Sequence, residues 1–223
     1  MQISEAWLRE LVNPSVSTEE LVEQLTMAGL EVDSVEPAAA EFSGVVVGEV
    51  VAKEQHSNAD KLSVCMVNVG EAEPLQIVCG ASNVRVGLKI PAALVGAVLP
   101  GNFKIKKSKL RGELSFGMLC SEKELGLAAD ADGLMELFAY APVGTDIREY
   151  LALDDKIIEL DLTPNRADCL SVEGVAREIA VLNEMSWTPV DFTKAEVAHD
   201  SVVEVKVEAT ATCPRYLGRL IKG

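Results

Sequence analysis

Between Gly44 and Cys120 the chain is cut into strand-length pieces by turn residues, and that rhythm narrows the possible folds more than any other feature. Apolar runs at Val45 to Val51, Leu62 to Val69, Leu75 to Cys79, Lys89 to Val95, Phe103 to Ile105 and Gly117 to Cys120 alternate with breakers at His56-Ser-Asn-Ala-Asp60, Gly70, Gly80-Ala-Ser-Asn83, Gly87 and Pro100-Gly101. Several short strands within one such stretch predict a small closed or partly closed β-barrel. An oligonucleotide-binding (OB) type barrel is the leading candidate, although strand count alone leaves other small barrels open.

The flanks follow a different pattern. Ser4 is placed to cap a helix through Leu11, which Asn13-Pro14 ends, since proline disfavours helix in the residue before it. Ser17-Thr-Glu-Glu20 spells a capping box whose helix sets Leu21, Leu25 and Ala28 on one face and stops at Gly29. Leu30 to Glu36 reads as a strand. Further on, Lys156 to Leu162 alternates with Ile158, Leu160 and Leu162 on one side, and Ser171 can cap a helix bearing Val172, Val175, Ile179 and Leu182. Pairing of the two flanking strands would make residues 1–40 and 150–192 one discontinuous α+β domain with the barrel, residues 42–148, inserted in it. Val202 to Val207 and Tyr216 to Ile221 read as two strands around Cys213-Pro214, and residues 195–223 as the start of a further domain of a longer polypeptide.

Charge is unevenly spread. The net formal charge is −15, yet residues 104–111 hold Lys104, Lys106, Lys107, Lys109 and Arg111 and no acidic residue. Long-range electrostatics would repel a polyanion, but screening over about 8 Å at physiological salt lets a local patch decide. Lysine is a mobile point charge suited to phosphate, and alternation predicts Lys104 and Lys106 outward with Phe103 and Ile105 buried. The competing reading makes these lysines edge-strand charges that block sheet aggregation, a task that does not require five of them. Aromatic residues are 4% of the chain, too few for an extended base-stacking platform, and Phe103 and Phe116 read as core. Phosphate and shape recognition of a folded RNA is the more economical idea.

Other functions find little support. The sequence has no P-loop, no G-x-S-x-G elbow and no H-E-x-x-H. Five scattered cysteines form no C-x-x-C pair and read as reduced and mostly buried, and two histidines give a zinc site almost no ligands. Asn58 and Asp60 beside His56 read as turn formers, and Thr163-Pro-Asn-Arg-Ala-Asp168 as strand exit and helix entry. No apolar run approaches the roughly 18 to 20 residues of a membrane helix. The N-terminus lacks a basic region and an apolar signal core, so a cytoplasmic location is expected.

His56-Ser-Asn-Ala-Asp-Lys-Leu62, Val67-Asn-Val-Gly70, Ile77-Val-Cys-Gly80, Lys109-Leu-Arg-Gly112 and Ser115-Phe-Gly-Met-Leu-Cys120 resemble the tRNA-binding barrel module of certain synthetases and free-standing tRNA-binding proteins. Trp7-Leu-Arg-Glu10, Thr26-Met-Ala-Gly-Leu-Glu-Val32, Thr163-Pro-Asn-Arg-Ala-Asp-Cys-Leu170 and Cys213-Pro-Arg-Tyr216 resemble the N-terminal portion of the bacterial phenylalanyl-tRNA synthetase beta subunits. The resemblance implies an α2β2 ligase that attaches phenylalanine to its tRNA, with the aminoacylation site on the alpha subunit. It implies ATP and Mg2+ for the whole enzyme but no cofactor, metal or catalytic residue in this chain, which alone should be inactive. It implies that residues 195–223 open an editing-type (B3/B4) domain, and it implies tRNA, without DNA or membrane, as partner. The tRNA-binding positions it points to are Asn58, Lys61, Lys104, Lys106, Lys107, Lys109, Arg111 and Ser115. Ser57 departs from the proline usual in that family. Two alternatives stay open: a free-standing OB-type tRNA-binding protein, and a purely structural assembly module.

Overall fold

A computed structural model describes residues 1–222. In chain order the elements are β1 (Gln2–Ser4), α1 (Glu5–Leu11), α2 (Thr18–Met27), β2 (Glu31–Pro37), β3 (Ser43–Gln55), β4 (Ser63–Asn68), β5 (Leu75–Cys79), β6 (Lys89–Leu99), β7 (Phe103–Lys104), β8 (Ser108–Leu110), β9 (Glu113–Ser115), β10 (Gly117–Leu119), α3 (Ile147–Tyr150), β11 (Lys156–Asp161) and α4 (Val172–Leu182). The chain separates into two compact units, Met1–Thr188 and the stretch from Pro189 onward. No helix among the described residues is long and apolar enough to cross a membrane.

Each long helix begins where a side chain satisfies its free N–H groups. The Ser4 hydroxyl accepts from Trp7 N–H, Ser171 accepts from Gly174 N–H, and Ser17 and Glu20 complete both arms of a capping box. Ser17→Ala removes one arm and should cost about 1 kcal/mol of stability, read as a lowered denaturation midpoint at unchanged slope.

β11 lies between β1 and β2, antiparallel to both, with Ile158 opposite Ile3 and Val35. The pairing of the two flanking strands is therefore present. It brings Leu8, Leu21, Leu25 and Leu30 from one end of the unit against Ile158, Leu160, Val175 and Ile179 from the other, all within one buried cluster. Residues between these ends bury separate clusters, one around Val67, Ile77 and Ile90 and another around Val45, Leu125 and Ile147.

The middle segment forms a six-stranded antiparallel sheet in the order β10-β6-β3-β4-β5, with β7 extending the far end of β6. No ladder joins β5 to β10 among the described residues, so the barrel is open along that seam. Isolated hydrogen bonds cross nearby: Phe116 N–H donates to Gln76 O at 2.8 Å, and Val78 N–H to Ser115 Oγ at 3.0 Å. The fold is α+β with an OB-type, partly closed barrel.

The second unit corrects one expectation. Val202 to Val207 and Tyr216 to Ile221 form no strands, although His199 Nε2 lies 3.1 Å from Leu220 O and Lys222 Nζ bonds Ser201 Oγ. Val202, Val203, Val205, Leu217 and Ile221 are exposed, and an isolated two-stranded pair lacks the covered apolar face that stabilises a ladder in water.

Candidate nucleic-acid interface

The loop from His56 to Leu62 is closed by its own backbone. His56 N–H donates to Leu62 O at 3.1 Å, and the Gln55 side-chain amide donates to the carbonyls of Ala59, Asp60 and Leu62. Asn58 and Lys61 stand exposed on this frame. A second exposed segment begins after β6, where Gly101 (φ 75°) and Asn102 (φ 62°) turn the chain in the left-handed region. Ile105 then plugs back into the core, its N–H bonded to Ala97 O at 2.8 Å and its carbonyl accepting from Gly96 N–H at 2.9 Å. With Ile105 inward, Lys104 and Lys106 are exposed on either side of it.

Phe103 departs from the sequence reading. It is 59% exposed instead of buried, because β7 is two residues long and sits at the sheet rim directly after the left-handed turn. Phe116 is half-buried, and Lys107 Nζ lies 4.6 Å from its ring centroid, within cation–π range.

β8 and β9 form a hairpin that the sequence reading did not contain. Leu110 pairs with Glu113, leaving Arg111 (φ 52°) and Gly112 (φ 109°) as a two-residue turn with both φ positive. Arginine is a rare occupant of such a position, where Asn or Gly is the usual signal. The adjacent glycine was the available clue. The turn sets Arg111 at the hairpin tip, with Lys109 on the strand leading into it.

The tip meets the 56–62 loop. Leu110 O lies 3.0 Å from His56 Nε2, and a Cβ built on Gly112 would stand 3.9 Å from Asn58 Nδ2. Asn58 and Arg111, 53 positions apart in sequence, thus flank one junction.

Among the described residues no carboxylate lies within ion-pair distance of Lys61, Lys104, Lys106, Lys107, Lys109 or Arg111. Elsewhere four arginines are neutralised: Arg9 by Glu5, Arg85 by Glu136, Arg148 by Asp154, and Arg166 by Asp168 and Glu178. The Arg85 guanidinium holds the Glu136 carboxyl down at about 2. Exposed unpaired cations keep their hydration and counterions, which is the state that phosphate contact exploits.

Ser115 needs a correction. It is 1% exposed, its hydroxyl accepting from Val78 N–H and donating to Gly117 O, both at 3.0 Å. With its donor and one acceptor site used inside the barrel seam, it supports the surface from beneath and does not face a ligand.

Little else offers chemistry. Burial pushes the Cys65 thiol up to about 11 and that of Cys120 up to about 12, far from a reactive thiolate. Asp168, Cys169 and Glu178 cluster closely enough to suggest a metal site. The Arg166 guanidinium already sits on them, 2.9 Å from Glu178 and 3.1 Å from the Cys169 sulfur, and its hydrogen bond lowers the Asp168 pKa. A thiol beside a resident cation does not suit Mg2+, which takes oxygen ligands.

Residues 45–146 match the family described as "Putative tRNA binding domain". Among solved structures, the C-terminal domain of Plasmodium vivax p43 and the MetRS related protein from Pyrococcus horikoshii each align with 46% of the chain, covering 57% and 87% of their own, at 23% identity and TM-score 0.34. Curated relatives cover the entire chain. The phenylalanine-tRNA ligase beta subunits of Methylococcus capsulatus, Photorhabdus laumondii and Pseudomonas putida are 61%, 60% and 60% identical to it. The chain spans 28% of the length of these relatives. Such identity, sustained through both flanks as well as the barrel, means that this chain belongs to the family of bacterial phenylalanine-tRNA ligase beta subunits, of which it represents a segment containing the tRNA-binding type domain.

Proposed function

We propose that this chain is a non-catalytic, tRNA-contacting part of a phenylalanine-tRNA ligase beta subunit, gripping phosphates of the phenylalanine-accepting tRNA while the assembled enzyme attaches phenylalanine at the expense of ATP. The contact surface is Lys104, Lys106, Lys107, Lys109 and Arg111, with Asn58 and Lys61 beside them and Ser115 as internal support. Residues 42–148 would be the OB-type domain, residues 1–40 and 150–192 the α+β domain, and residues 195–223 the opening of an editing-type domain. An alpha subunit in an α2β2 tetramer would carry the aminoacylation site, with ATP and Mg2+ bound there, in the cytoplasm.

The observation that carries this reading is the set of exposed cations without carboxylate partners among the described residues, in a chain of net charge −15. If five cations touch phosphate, affinity for phenylalanine tRNA should fall about 100-fold between 50 and 200 mM salt, at a slope of about −0.7 per contact. Fluorescence anisotropy at the two salt concentrations, with an unstructured RNA alongside, tests it. Salt-insensitive affinity would remove phosphate contact from the account.

A further inference from the structure

His56 is 3% exposed in a loop whose neighbours Ser57, Asn58, Asp60 and Lys61 stand in solvent. Both ring nitrogens are engaged: Nδ1 by Asn58 N–H at 3.0 Å, and Nε2 by Leu110 O at 3.0 Å. An amide N–H only donates and a carbonyl only accepts, so the two bonds coexist when the ring proton sits on Nε2. The ring therefore joins two segments 54 residues apart.

The two segments depend on that join differently. The loop is already closed by His56 N–H to Leu62 O and by the Gln55 side chain, so it does not need the Leu110 bond for its shape. The β8–β9 hairpin is fastened along β9, where the Gln76 side chain donates to Leu114 O at 2.8 Å and to Glu113 Oε2 at 3.3 Å and Ser115 and Phe116 bond β5. β8 has β9 as its sole ladder partner among the described residues. Its tip, which carries Lys109 and Arg111, is held to the neighbouring loop by His56 Nε2–H.

We propose that His56 is a positioning residue for RNA recognition. By donating to Leu110 O it fixes the hairpin tip against the 56–62 loop, so that Lys109 and Arg111 share one binding surface with Asn58 and Lys61. The proposal rests on the RNA-binding reading above. Without the bond β9 stays tied to β5 through Gln76, but β8 and the turn lose this tie to the loop, and two of the five cations lose their register with the rest.

Two variants divide the roles of the ring. In His56→Asn the amide oxygen replaces Nδ1 and keeps the Asn58 bond, but the side chain is too short to reach Leu110. In His56→Gln the amide nitrogen replaces Nε2 and keeps the reach to Leu110. Affinity of the chain for phenylalanine tRNA is measured at 50 and 200 mM salt, and backbone amide exchange at residues 109–112 is followed without RNA. His56→Asn should exchange faster at the tip, and its affinity should fall about 20-fold across that salt range where wild type falls about 100-fold, since about three contacts remain of five. His56→Gln should match wild type in both readouts, which a general loss of stability would not produce.

Wild-type salt dependence in His56→Asn, or a reduced one in His56→Gln, would overturn the assignment. If wild type itself shows no salt-dependent binding, the RNA reading fails. The exchange measurement then still decides the latch, with unchanged exchange in His56→Asn refuting it.

Discussion

Alanine at Lys104, Lys106, Lys107 and Lys109 together is expected to weaken tRNA binding on the order of 5,000-fold at 50 mM salt and about a hundredfold at 200 mM. Each phosphate contact on a single strand contributes about −0.7 to the slope of log affinity against log salt, and the loss of four shrinks as salt rises. The salt dependence should flatten until only about one contact remains, that of Arg111. All four lysines are exposed, and Ile105 stays as the anchor between them, so the variant should unfold at the wild-type denaturant concentration. Anisotropy titration at both salts, beside a denaturation curve, gives the result. Unchanged affinity in a folded variant would turn these lysines into solvated edge charges and favour a structural assembly module.

Gly174→Ala should be the most damaging single-methyl change in the flanking α+β part. A Cβ at this position would lie 2.0 Å from Asp168 O, 2.9 Å from Asp168 C and 3.0 Å from Cys169 Cα, all backbone atoms that no rotamer change can clear. Its φ lies outside the left-handed region, so alanine brings no torsional strain and the cost is steric. Alanine's better helix propensity offers about 1 kcal/mol in return. Overpacking of this kind costs about 3 kcal/mol or more, so the clash wins. The turn over Ala167–Cys169 must move away from α4, taking buried Cys169 and the Arg166 bond to Glu178 with it. The chain's two tryptophans, Trp7 on α1 and Trp187 beyond α4, both belong to this part and report its unfolding by fluorescence. Stability equal to wild type in urea would show that α4 does not pack this closely on the turn.

The fold was legible where short-range chemistry decides it. Ser4, Ser17 and Ser171 were readable as caps because each bonds an amide no more than three residues away. β5 runs from Leu75 to Cys79 as the breakers on either side required. β3 and β6 extend past the expected Val51 and Val95, to Gln55 and Leu99, because pairing partners on the neighbouring strands continue the ladder beyond the apolar run. Val202 to Val207 shows the opposite failure: β-propensity alone, without a covered face, does not make a strand.

For the candidate interface the division is similar. Residue type and spacing determined that a cationic segment exists, that Lys104 and Lys106 alternate with an inward Ile105, and that helix caps and turn breakers frame an α+β protein with a small barrel, because those signals act over a few residues. Tertiary structure decided that Phe103 lies in solvent, that Ser115 is sealed in the seam, that residues 108–115 fold back as a hairpin, and that His56 reaches Leu110. Each of these depends on surfaces brought together from positions tens of residues apart, where burial and hydrogen-bond geometry exist only once the barrel has formed.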